Sequence, residues 1–132
     1  MIGVDTNVLV RYLAQDDATQ SPIASRIIDA LTADAPGYIP VVVLVETVWV
    51  LSRAYRVPRA RIAEIIETLL RARELVVEAA ETAYLALATY QTTTADFSDA
   101  LIAHGARLAG CGETVTFDKA AATTAGMRLL AG

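Results

Sequence analysis

The chain has 132 residues, 55% of them hydrophobic and 20% charged, with a net charge of −4. That size and balance suit one folded domain with a sizeable core, exclude a disordered or low-complexity chain, and at a mean hydropathy of +0.43 leave apolar surface over for a homo-oligomer interface. The acidic pI of about 4.9 argues against a general nucleic-acid binder, yet Arg53, Arg56, Arg59, Arg61, Arg71 and Arg73 concentrate basic charge in one stretch.

Residues 1–5 read as a short buried strand, and Thr6 is placed to cap a first helix, "NVLVRYLAQ". Polar "DDATQSP" follows, with Ser21 as the expected N-cap and Pro22 at the first position of the helix "IASRIIDALTA". "DAPG" ends that helix, and "GYIP" is a brief extended segment stopped by Pro40. From Val41 a long helix is expected through "VVVLVETVWVLSRAY", although its β-branched run also permits a strand over 41–45. "RVPRARIAEIIETLLRARE" gives another helix, "LVVE" a strand and "TAYLALATYQ" a helix.

"TTTADFSDALIAHGARLAGCG" is a turn leading into a helix closed by Gly110 and Gly112. "ETVTF" is the last clear strand, with Asp118 just beyond it, and "MRLL" reads as an edge strand. Short strands alternating with helices predict an α/β layer fold with a mainly parallel sheet, in a single domain over residues 1–132.

The longest apolar run, "YIPVVVLVETVWVL", is broken by Pro40 and Glu46 and falls short of the roughly 18–20 residues a membrane span needs. The N-terminus lacks a basic region and a cleavage site, so the expected location is cytoplasmic. The single Cys111 forms no internal disulfide and reads as a small hydrophobe in the core.

In open parallel sheets, ligands bind beyond the carboxyl ends of the strands. Asp5 ends the first strand, and Asp118 ends "ETVTF". Asp96 and Asp99 head one helix on a shared face, and Glu46 lies early on the helix after "GYIP". Gathered together, such carboxylates repel one another unless a cation neutralises them. An all-oxygen site suits Mg²⁺ or Mn²⁺, which activates water and stabilises a phosphoryl centre. Thr6, Asn7 and Thr116 can hydrogen-bond to these carboxylates or to a phosphate, and Lys119, the one lysine, can approach a phosphate.

Each residue also has a purely structural reading. Asp5, Asp96 and Asp99 suit helix N-termini by capping and by the macrodipole, and Asp118 before Lys119 suits a turn. Glu46, flanked by Val, Leu, Trp and Thr, is the one that most needs a partner. Among the arginines, pairing with Glu64 and Glu67 at helical spacing competes with contact to phosphates near the site. His104 sits on a different helix face from Asp99 and reads as structural, and Trp49 reads as core or dimer interface. The tyrosines do not interleave with basic residues as a stacking platform would.

The segments "VDTNVLV", "IPVVVLVETVWVL", "ADFSDALIAHGARLAGC" and "VTFDK" together resemble the PIN domain, and more narrowly the VapC-type toxins of toxin–antitoxin pairs. The resemblance covers essentially the whole chain. It implies a three-layer α/β/α domain with a short mainly parallel sheet, whose acidic pocket binds Mg²⁺ or Mn²⁺. The family's acidic positions fall on Asp5, Glu46, Asp99 and Asp118, with Asp96 as an additional site residue and Thr116 as the small hydroxyl before the last Asp.

It further implies an endoribonuclease acting on tRNA, rRNA or mRNA, a homodimer, and a cognate antitoxin that blocks the pocket with a basic side chain. Two other functions remain open from the residues. One is a phosphatase or phosphotransferase with Asp5 as nucleophile, although Asn7 stands where that chemistry wants a second Asp. The other is a binding module whose acidic pocket receives a basic peptide without catalysis.

Overall fold

The computed structural model describes residues 1–131. They pack as two compact units, one spanning Met1–Glu78 and one beginning at Ala79. The first runs β1 (Ile2–Gly3), α1 (Thr6–Ala14), α2 (Gln20–Asp29), β2 (Gly37–Ile39), α3 (Val41–Arg53), α4 (Arg59–Arg71) and β3 (Leu75–Val77). Its strands pair in parallel in the order β1-β2-β3, with Ile2 opposite Gly37 and Tyr38 opposite Val76. Parallel neighbours need a crossover of a dozen or more residues, and the helix pairs supply it. The mixed α/β class and the parallel pairing are those the sequence predicts.

Several local details differ from expectation. Asp5, not Thr6, is the N-cap of α1, and Thr6 is the first helical residue. Ser21 is not a cap either. The N-cap is Thr19, which makes no side-chain cap bond; Asp17 ahead of it accepts from the amides of Thr19 and Gln20, and the buried Ser21 hydroxyl donates to the Arg11 carbonyl at 2.8 Å. Helix α2 ends at Asp29, because the chain turns where the Leu31 amide bonds the Ile28 carbonyl.

The ambiguity over residues 41–45 resolves as helix. Val43, Leu44, Thr47, Val48 and Leu51 are buried at helical spacing, which a strand's period of two cannot produce. Proline at the N-cap offers α3 no side-chain cap, so the cap comes from elsewhere: Glu78 Oε1, just past β3, accepts from the Val41 amide at 2.8 Å. At Gly37 a Cβ would stand 2.7 Å from Leu31 Cδ1 and 3.2 Å from Val4 Cγ2, so a larger residue there would push the Leu31 side chain aside. Leu9, Ile39, Leu44, Ile62 and Ile66 form the deepest part of this unit's core.

The second unit runs α5 (Ala80–Thr92), α6 (Phe97–Leu108), β4 (Val115–Thr116), α7 (Lys119–Ala125) and β5 (Arg128–Leu129), with β4 and β5 parallel. Buried alanines at 83, 86, 100 and 103 suit close packing of α5 and α6. Tyr90 and Phe97 meet edge to face, centroids 5.9 Å apart. Helix α7 was not anticipated. Its alanine-rich "KAAATTA" is capped by Asp118 and ends at Gly126, whose φ of +74 is the left-handed geometry glycine favours.

Cys111 is exposed, which corrects the core reading. It follows Gly110, whose φ of +101 turns the chain beyond the end of α6. No helix among the described residues is long and apolar enough to cross a membrane.

Candidate metal and nucleic-acid site

In the first unit, β1 delivers Asp5 to the start of α1, where its Oδ1 accepts from the Thr6 amide at 2.8 Å. Thr6 is buried, and its hydroxyl donates to Glu46 Oε1 at 3.0 Å. One residue therefore holds both predicted carboxylates of this unit.

Glu46 itself is exposed, not enclosed by its apolar neighbours. It lies on the outward stripe of α3 with Val42 and Trp49, which are 60% and 59% exposed. Trp49 is therefore not a core residue. The partner that Glu46 needed is a hydroxyl 40 residues away in sequence.

In the second unit, Asp96 is the N-cap of α6, accepting from the amides of Ser98 and Asp99 and from the Ser98 hydroxyl. Asp99 follows in the first turn. Burial, then the charges of Asp96 and Asp118, push its carboxyl above the usual carboxylate range. Asp118 caps α7 by accepting from the Ala121 amide at 3.1 Å, and its own amide donates to Thr116 Oγ1 at 3.0 Å. Thr116 thus shapes the turn that carries Asp118.

Asp5 and Asp96 serve as N-caps, as their structural reading requires, whereas Asp118, read as part of a turn, is instead the N-cap of α7. A cap leaves a second carboxylate oxygen over, and the two roles are compatible. The donor chemistry fits a hard divalent cation: every candidate ligand is an oxygen, and Asp99 bears a charge that its neighbours oppose. Among the described residues, no group of three or more His, Cys, Asp or Glu side chains able to hold a metal ion is found.

Of the basic cluster, Arg61 pairs with Glu64 and Arg71 with Glu67, each at 3.0 Å on the exposed face of α4. His104 bonds Thr89 at 2.8 Å, joining α6 to α5, as its structural reading requires. Sequence reasoning credited Thr6 with possible bonds to Asp5, a water or a phosphate, and missed its bond to Glu46. It also missed Glu78 as the cap of α3. Both contacts span about 40 positions, beyond the reach of local pattern.

The mixed α/β fold with parallel strands is the one that the resemblance of the sequence implies. The PIN domain family model matches residues 2–127, and the chain belongs to that family. Comparison with curated proteins gives no match. PIN domains are generally metal-dependent nucleases, typically using divalent ions on a nucleic-acid substrate.

Proposed function

We propose that this chain is a Mg²⁺- or Mn²⁺-dependent endoribonuclease, the toxin of a toxin–antitoxin pair, cleaving tRNA, rRNA or mRNA in the cytoplasm. In this reading residues 1–132 form one PIN domain, and Asp5, Glu46, Asp96, Asp99 and Asp118 serve the metal. The observation that carries it is Asp99, a carboxylate held above its usual range by burial and then by the charges of Asp96 and Asp118, in a chain of a nuclease family. Such an arrangement makes physical sense where a cation is meant to arrive.

A divalent ion bound there supplies charge neutralisation and activates water for attack on the phosphodiester. The chain's own residues do the rest. Asp5 and Glu46 each keep one oxygen on Thr6 and offer the other. Asp96 and Asp118 are fixed by the helices they cap, and Thr116 holds the turn before Asp118. Lys119, exposed at the start of α7, contributes a positive charge for an RNA phosphate. The exposed Val42 and Trp49 support a protein interface, for which a second copy of the chain is the expected partner. The acidic site suits a basic side chain from an antitoxin.

The test is cleavage of total RNA and of separate tRNA and rRNA pools by the purified chain, in Mg²⁺, Mn²⁺ or EDTA. Cleavage abolished by EDTA is the expected result. A folded chain that binds Mn²⁺ but cuts no pool would leave a binding module in place of an enzyme.

A further inference from the structure

We propose that Thr6 is a positioning residue that fixes how Asp5 and Glu46 coordinate a divalent ion, and so favours Mg²⁺ and Mn²⁺ over Ca²⁺. This rests on the metal-nuclease reading above. Thr6 is 8% exposed and sits in the first turn of α1, where a β-branched side chain is stiff. Its amide donates to Asp5 Oδ1 at 2.8 Å, and its hydroxyl donates to Glu46 Oε1 at 3.0 Å. A hydroxyl has one proton to give, and Glu46 receives it.

A single buried residue thus engages one oxygen from each of two carboxylates. Asp5 Oδ2 and Glu46 Oε2 are left for a cation, which directs both side chains towards one-oxygen coordination. The consequence differs between ions. Mg²⁺ demands near-ideal octahedral geometry, keeps several waters and takes few carboxylate oxygens, a preference Mn²⁺ shares in ligand type. Ca²⁺ takes more oxygens and readily accepts a carboxylate through both.

The Glu46 side chain is long and exposed, and its rotamers would be free without the bond from Thr6. Removing that hydroxyl releases Glu46 Oε1 and lets the carboxylate swing to two-oxygen coordination. The bond therefore acts on selectivity as well as on affinity.

The experiment is calorimetric titration of the full chain with Mn²⁺, Mg²⁺ and Ca²⁺ separately, for wild type, Thr6→Val and Thr6→Ser, each checked by thermal melting. Thr6→Val keeps the shape and removes the proton, and Thr6→Ser restores the proton. Thr6→Val is expected to weaken Mn²⁺ binding by roughly tenfold or more. Ca²⁺ weakens less, so the preference between them narrows, while Thr6→Ser behaves like wild type.

If Thr6→Val melts early, Thr6→Ala carries the same comparison. An unchanged Mn²⁺-to-Ca²⁺ preference in a folded variant would overturn the role of Thr6. The nuclease reading would then stand on the wild type's own Mn²⁺ binding. A wild type that binds no divalent ion would overturn both.

Discussion

Asp5 and Glu46 in the first unit are held by neutral donors, the amide and hydroxyl of Thr6. Asp99 in the second unit is instead set against the charges of Asp96 and Asp118 and is partly buried. Hydrogen bonds hold the first pair, whereas burial and then like charge penalise the charged form of Asp99. A hydroxyl can orient a carboxylate at little cost, but only a cation or a proton relieves a carboxylate among its own kind. The second unit is therefore where removal of charge should be felt most.

The largest effect is expected from Asp99→Asn. RNA cleavage falls on the order of 10³-fold, the scale of losing several kcal/mol of transition-state stabilisation. The metal-free protein, in contrast, melts at a higher temperature than wild type. The raised folded-state pKa of Asp99 gives stability that is present at low pH and lost as pH rises above the ordinary carboxylate range. The amide variant lacks that loss. Asp5→Asn is expected to lose cleavage as well while keeping the cap of α1, since asparagine also accepts at an N-cap.

Glu78→Ala probes what holds the helix that carries Glu46. Loss of the cap on Val41 is expected to cost about 1 kcal/mol in chemical denaturation. The Tyr38 hydroxyl, whose pKa is raised by burial and then by Glu78, should titrate at lower pH in this variant.

Thr47→Val sharpens the comparison within α3 itself. Thr47 is 1% exposed, and its Oγ1 finds no hydrogen-bond partner among the described residues, unlike the fully used hydroxyl of Thr6. An isosteric apolar side chain is expected to stabilise the protein by about 1 kcal/mol, read from the denaturation midpoint.

The smallest effect is a change of slope. His104 has its pKa lowered by burial and then by Arg107. The unfolded chain binds that proton more readily, so stability is complete above about pH 6.5 and declines as pH falls through the lowered folded value. His104→Gln, which keeps a partner for Thr89, should flatten melting temperature against pH in that range. Asp99 produces the opposite slope at its own end of the scale.

Much of this was legible in the sequence, because capping and helical period are local. Pro40, Asp96 and Gly110 mark element ends where the structure has them, and the helix on which Glu46 lies was placed correctly. Helix α7 was missed although its signals were present, an Asp followed by an alanine-rich stretch and then Gly126. The exposure of Glu46 follows from a 3.6-residue period that assigns Val42 and Trp49 to the same outward face. The bonds from Thr6 to Glu46 and from Val41 to Glu78 depend on which segments pack together, and no local pattern carries that information.

The decisive measurement is cleavage of purified tRNA and rRNA by wild type beside Asp5→Asn and Asp99→Asn, each confirmed folded, in saturating Mn²⁺ and in EDTA. The prediction is cleavage by wild type in Mn²⁺ alone, with both variants inactive, as the proposed role of Asp5 and Asp99 as metal carboxylates requires. Wild-type cleavage in EDTA, or a folded variant cutting as fast as wild type, would contradict it.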